Sequence, residues 1–418
     1  MIRGHFNGIL MLFGCIYGTI RHMEKGLWTF RYTLINVTYF IAFCTIHAMA
    51  AVYLLANGFT NTEVGVLLAV ANITSALVQP LIAGIIDKPG PLTNRRFILI
   101  SVMVILIGSV LLRFLSSYKA IVFIVYALIY MIQFAYQPVM TALCFEYQKA
   151  GCSIFYGLAR GLGSASFAVT SAFIGGAVEK NGVDLLLAVN VITMVLSAVV
   201  VFTFKKPETD DPESAGDKEP KGTAHNNIAE FARTYPAFTV FLIGTICFYF
   251  AHNMINDFMI QIIRSLGGAE TELGYSNFLQ AILELPVMAV IGFFLKKISS
   301  DKMLVFSGTA FFVKILILMF VSNMAGMYVS QSFQLFAYAV FIPASAYYVS
   351  KTMDELDQVK GQAYVTSAIT VGGVFSNLIS GLILDNLGIK AMLGTGCVVC
   401  AVGVIIGFIA MNRLPHHA

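Results

Sequence analysis

Three charged side chains sit where the chain is otherwise apolar: Arg160 in Tyr156-Gly-Leu-Ala-Arg160-Gly-Leu-Gly163, Glu284 in Glu284-Leu-Pro286, and Lys314 in Phe311-Phe-Val-Lys314-Ile-Leu-Ile. A charge in hydrocarbon is costly unless it faces a cavity or a partner, so such residues are candidates for binding a polar solute or moving a proton. Their chemistries differ. A guanidinium presents a planar fork of donors that can clamp hydroxyls or an anion. A carboxylate at depth can take up and release a proton, and an ammonium nearby biases that exchange through its charge. The bland reading of the same residues is a structural charge pair, or a basic side chain whose head reaches an interface along its own stem.

Neutral polar groups accompany them. The first long apolar run carries Asn36, Tyr39 and His47, and the seventh carries His252, Asn253, Asn256 and Asp257. His47, Asn253 and Asn256 could line a solute cavity, although a histidine hydrogen-bonded inside the bundle fits the same pattern. Asp257 is the next carboxylate after Glu284 able to carry a proton. Gln79, Gln133, Gln137, Gln280, Gln331 and Gln334 suit hydroxyl-rich or amide-bearing solutes. Phe167, Tyr126, Tyr130, Tyr136 and Tyr338 could stack on a ring, a role that competes with core and lipid-facing packing. Neither a metal nor another cofactor is expected. The 7 Cys lie mostly in apolar runs, and Cys397-Val-Val-Cys400 has no charged neighbour to stabilise thiolates. The chain holds no HExxH or GxSxG, and no enzyme activity is expected.

The elements that position these groups follow from composition. With 58% hydrophobic and 11% charged residues and a mean hydropathy of +0.81, the chain cannot build a water-soluble surface, since soluble domains carry roughly 25% charged residues. Runs long enough to cross about 30 Å of hydrocarbon, roughly 20 helical residues each, recur along it. Twelve spans are expected, at 30–56, 62–87, 95–115, 119–143, 153–179, 184–204, 234–266, 270–295, 303–322, 326–350, 360–385 and 390–412. The runs are continuous and lack ten-residue alternation, which favours helices over a β-barrel.

Thr62-Glu63-Val64-Gly65 recurs as Thr271-Glu272-Leu273-Gly274, 209 positions on, so the chain reads as one multi-helix unit written twice. The fold class is therefore an all-α membrane protein of twelve transmembrane helices in two pseudo-symmetric six-helix bundles. The fifth helix of each half carries small residues: Gly157, Gly161, Gly163, Ser164 and Ser166 in one, Gly372, Gly373, Ser376 and Gly381 in the other. Such faces let helices approach closely, and both are expected at the interface between halves, as packing surfaces first of all.

Residues 23–204 and 233–418 form the two bundles, and 205–232 the linker, which holds 11 of the 48 charged residues together with Pro207, Pro212, Pro220 and Gly216. Assigning both termini and this linker to one side places nineteen of the 26 Lys and Arg there and five opposite. The positive-inside rule makes that side cytoplasmic. The net charge of +4 thus reflects topology and does not suggest nucleic-acid binding. Residues 1–22 are an extension of open status: a signal peptide, an interfacial helix, or sequence upstream of a start at Met23.

Three motifs in order resemble the lactose-permease-like branch of the major facilitator superfamily, which includes oligosaccharide, nucleoside and phenylpropionate proton symporters. They are Gln79-Pro80-Leu-Ile-Ala-Gly-Ile-Ile-Asp87-Lys88-Pro-Gly90, Tyr156-Gly-Leu-Ala-Arg160-Gly-Leu-Gly163 and Glu284-Leu-Pro286-Val-Met288, and the similarity runs from about residue 28 to 412. By this resemblance Asp87, Lys88 and Gly90 belong to an inner-loop gating motif, with Arg95 and Arg96 displaced by Pro91-Leu-Thr-Asn. Arg160 takes the place of the substrate-binding arginine, and Glu284 and Lys314 those of the helix-eight glutamate and helix-nine arginine that serve sugar recognition and proton release. Phe167 replaces the tryptophan that stacks on galactose. Ala142 stands where the permease has its helix-four glutamate, and Tyr338 and Phe341 stand where it has the His and Glu of its proton pathway. Galactoside specificity is thus not implied, and the proton relay does not carry over.

The resulting expectation is a monomeric, multi-pass carrier of the cell membrane that moves a small organic solute by alternating access. Uptake of a sugar- or nucleoside-like substrate with protons leads; an aromatic acid permease, a drug efflux carrier, and a non-transporting receptor or scaffold are the alternatives. Arg160 would clamp the solute, Glu284 would bind it and exchange a proton, and Lys314 would bias that exchange.

Overall fold

The computed structural model describes residues 26–86, 90–206 and 228–415. The extension 1–22, most of the linker 205–232, and Asp87 and Lys88 of the expected gating motif lie outside the described residues; Gly90 forms an exposed bend beside them. Apart from short turns, the described residues are helical.

The N-terminal half holds α1 (Gly26–Ala48), α2 (Ala50–Ala56), α3 (Asn61–Ile86), α4 (Asn94–Leu115), α5 (Lys119–Lys149), α6 (Tyr156–Asn181) and α7 (Asp184–Thr203). A short α8 (Ile228–Thr234) precedes the C-terminal half. That half comprises α9 (Pro236–Asp257), α10 (Met259–Ser265), α11 (Glu270–Leu295), α12 (Ser300–Phe320), α13 (Met324–Ser332), α14 (Tyr338–Thr352) and α15 (Glu355–Arg413). Nine described helices are long and apolar enough to cross a membrane, or ten with the bent pair α1 and α2. That count falls short of the twelve expected spans: it leaves out α11 and takes α15 as one, although Gly388 (φ 79°) breaks α15 between the last two expected spans.

The duplication extends well beyond the tetrapeptide. The first expected span is broken at Met49 (φ −109°, ψ 14°), and the seventh at Phe258 (φ −114°, ψ 22°), 209 positions on. Gly58 (φ 79°) and Gly267 (φ 83°) then end α2 and α10 in the left-handed conformation that glycine adopts without a Cβ penalty. In the first half the break follows a π-helical turn, Cys44–Ala48, and α2 departs from α1 by 51°. Freed carbonyls must find donors in a membrane. Tyr126 donates its hydroxyl to Ile46 O (2.6 Å), while Thr45 and Asn190 donate to Ala42 O (2.8 and 3.2 Å).

The outer surface is apolar. Between 28% and 39% of the apolar windows of α3 to α7 is buried, and Phe114, Phe173 and Phe320 are each more than 70% exposed. In water such a surface would be an aggregation liability; against lipid it is the expected solvent match.

Candidate functional site

In the C-terminal half, Lys314 of α12 is fully buried and does not reach an interface. Its ammonium donates to Gln280 Oε1 of α11 (3.1 Å) and Gln334 Oε1 (2.8 Å). The Gln334 amide nitrogen in turn donates to Glu284 Oε1 of α11 (2.8 Å). Among the described residues no direct ion pair joins Lys314 to Glu284; the amide of Gln334 stands between cation and carboxylate. Gln334 lies in the 3-10 turn Phe333–Leu335 that separates α13 from α14. This break is tied to α12 on both sides: Ser307 donates to Ala337 O (2.7 Å), and Ser330 donates to the carbonyl of Lys314 itself (2.7 Å).

In the N-terminal half, Arg160 of α6 is half-buried. Its guanidinium lies 4.3 Å from the Phe40 ring centre of α1, and Nη1 donates to Ser164 Oγ (2.6 Å). A charge over an aromatic face gains from the ring quadrupole without losing its in-plane donors. Phe40 is held by Gly163, where a Cβ would come within 2.7 Å of the ring. Tyr338 of α14 lies within electrostatic range of both Arg160 and Glu284.

The remaining expected residues divide by half. His47, at the π-helical turn, is stacked on Phe43 (3.9 Å) and close to Tyr130 (3.7 Å), and Phe167 stands 6.3 Å from Phe43. Phe167 therefore joins the aromatic wall of α1 and α5. His252 stacks on Tyr338 (5.4 Å) and meets Asn256 through a 2.9 Å hydrogen bond. Asn253 packs against Gly373 of α15. Asp257 ends α9 at the helix break, beside Asn377 of α15 and apart from the Lys314 network.

The halves meet chiefly through two crossings, α3 with α15 and α6 with α11. A Cβ on Gly65 would overlap the carbonyl oxygen of Asn377, and one on Gly274 that of Ser171. Reciprocally, Gly381 receives the carbonyl of Asn61 and Gly175 that of Glu270. The carboxylate of Asp385 accepts from Asn61 and Thr62, and that of Glu179 from Thr271 Oγ1 (2.5 Å). Three of the four positions of the repeated tetrapeptide thus have a duplicated role. Thr meets a carboxylate of the other half, and Gly admits its backbone. Glu63 and Glu272 reach back to the N–H of Thr60 and Ala269 (2.8 Å each), closing the first helical turn. This end of the molecule is closed.

Of the small residues expected between the halves, Gly381 is there, but Gly163, Gly372 and Gly373 pack within their own half and Gly157 and Gly161 face open space. Sequence reasoning missed Asp385, Glu179 and Gly175, though a signal existed: glycine followed four residues later by an acid, at Gly175 and Glu179 and again at Gly381 and Asp385.

No curated protein matches the chain in sequence. Solved structures match it in fold. The nucleoside transporter NupG aligns with a TM-score of 0.75 at 15% identity, covering 93% of this chain and 100% of that one. A bacterial homolog of the human lysosomal transporter Spinster, inward-facing and unoccupied, gives 0.68 at 12% identity, covering 93% and 97%. An auto-inhibited POT family peptide transporter gives 0.72 at 9% identity, covering 93% and 97%. Residues 32–414, nearly the whole chain, match a single family, and the protein belongs to the MFS_1 like family.

Proposed function

We propose that this protein is a secondary active transporter that takes up a sugar- or nucleoside-like solute with protons by alternating access, as a monomer in the cell membrane with both termini cytoplasmic. The observation that carries the proposal is the presence of a buried, amide-bridged Lys314 and Glu284 in one half and of a half-buried Arg160, held by Phe40 and Ser164 and without a carboxylate partner among the described residues, in the other. The bundles 23–204 and 233–418 rock about the solute, joined by 205–232. The excess of basic residues on the linker side supports placing the closed tetrapeptide end outside. Gly90 together with Asp87 and Lys88 serves the opposite, cytoplasmic gate.

Arg160 clamps the solute; Phe167, His47, Asn253 and Asn256 contribute cavity walls, and Asp257 is the reserve proton site. The fold of NupG supports a nucleoside-like solute. One feature favours the aromatic acid instead: Lys314 is occupied by glutamine oxygens and faces Glu284, whereas Arg160 shows aromatic and hydroxyl partners. Counterflow in proteoliposomes with sugars, nucleosides and aromatic acids separates the readings. Saturable exchange of a neutral ring-bearing solute is expected. Exchange confined to acids would select the second reading, and binding without flux would point to a receptor.

A further inference from the structure

We propose that Gln334 is the positioning residue of the proton site, setting the pH at which Glu284 exchanges its proton. The inference rests on the reading of Glu284 as proton carrier. Its orientation is dictated by chemistry: an ammonium only donates and a carboxylate only accepts, so the Gln334 oxygen must face Lys314 and its amide nitrogen Glu284. Reversed, both contacts would be repulsive. The side chain is itself buried, and both of its identified contacts go to the two charged groups.

A hydrogen bond donated to a carboxylate is stronger than one donated to the neutral acid, so the Gln334 amide favours the ionised form of Glu284. Among the described residues, the charged and titratable groups around this site are Lys314 of α12, Tyr249 of α9 and Tyr338 of α14 near Glu284, His252 of α9 near Lys314, and Arg160 of α6, which reaches Tyr338 from the other half. Gln334 also occupies the 3-10 turn in a broken membrane helix, a position where hinges are found. Ser307 and Ser330 fasten that turn to the helix that carries Lys314. Weakening of the Glu284 contact when the carboxylate loses its charge therefore acts directly on the α13–α14 bend.

The test is an infrared pH titration of the full-length protein in nanodiscs, following the carboxyl band that disappears in Glu284→Gln. Gln334→Met preserves volume and removes the amide, and its band midpoint is expected to move to higher pH by about one unit. Gln334→Asn keeps an amide too short to reach both charges, and serves if the Met variant fails to fold. Its midpoint should move in the same direction. A purely structural glutamine would lower thermal stability in these variants with the midpoint unmoved, and that result overturns the inference. If Glu284→Gln removes no titrating band, the reading of Glu284 as proton carrier fails instead, and this inference with it.

Discussion

The Asp385 carboxylate on α15 grips Thr62 at the start of α3 in the opposite half. One oxygen accepts from the Thr62 N–H (2.7 Å) and Oγ1 (2.5 Å), and the other from the N–H (3.2 Å) and side-chain amide (2.8 Å) of Asn61. An anion at a helix N-terminus is favoured both by unpaired N–H groups and by the helix dipole. The equivalent contact in the other crossing, Glu179 with Thr271, is a single side-chain bond. The closed end is therefore held asymmetrically.

Asp385→Asn should loosen this end, because the amide presents one acceptor oxygen where the carboxylate presents two and carries no charge. The loss is about 1–3 kcal/mol of closed-state stability. Spin labels at Asn57→Cys and Asn386→Cys report the separation between halves at this end. A second, longer distance population is expected in Asp385→Asn, with a smaller one in Glu179→Gln. Identical distance distributions in wild type and both variants would remove the carboxylates from the gate.

The glycines of the crossings make a sharper test. Leu at Gly65 or Gly274 places side-chain atoms where Asn377 and Ser171 have backbone carbonyls, which cannot yield as a flexible side chain can. The crossing must open, so the same spin-label pair should show mostly the longer distance, and transport should cease. Gly157→Ala and Gly161→Ala, which meet nothing within 4 Å, should leave both distance and transport near wild type. Helix propensity would, if anything, stabilise them slightly.

How much of this was legible in the sequence depends on the signal each feature leaves. Arg160, Glu284 and Lys314 were legible because a charge in an apolar run is conspicuous whatever surrounds it. The duplication was legible only as four residues. Its extension to the breaks at Met49 and Phe258 was not, since neither proline nor glycine marks those positions and tertiary contacts such as Tyr126 with Ile46 supply the missing hydrogen bonds. Gln334 stood among six neutral glutamines with nothing to single it out, because its partners lie 20 and 50 residues away. The Asp385 grip on Thr62 spans 323 residues and left only a spacing of glycine and acid.

Arg160→Lys separates binding from architecture. Lysine keeps the charge and can still approach Phe40, but loses the planar fork that holds two acceptors at once. Solute affinity should fall by tenfold or more in counterflow, with expression and thermal stability close to wild type. Normal affinity with poor expression would instead assign Arg160 to packing between α6 and α1.

Glu284→Gln tests the coupling itself. The amide resembles the protonated acid in shape and can still meet Gln334, but it cannot release a proton. If Glu284 carries the proton as proposed, uphill accumulation driven by an imposed pH gradient should be abolished, because the return step of a symport cycle then requires the carboxylate to deprotonate before the empty carrier reorients. Exchange of labelled for unlabelled solute needs no such step and should survive at least in part. Proteoliposomes with an inwardly directed proton gradient allow both measurements on one preparation. Intact uphill accumulation by Glu284→Gln would move the proton site elsewhere. The next carboxylate to replace is then Asp257, which stands at the α9 break beside the closed end.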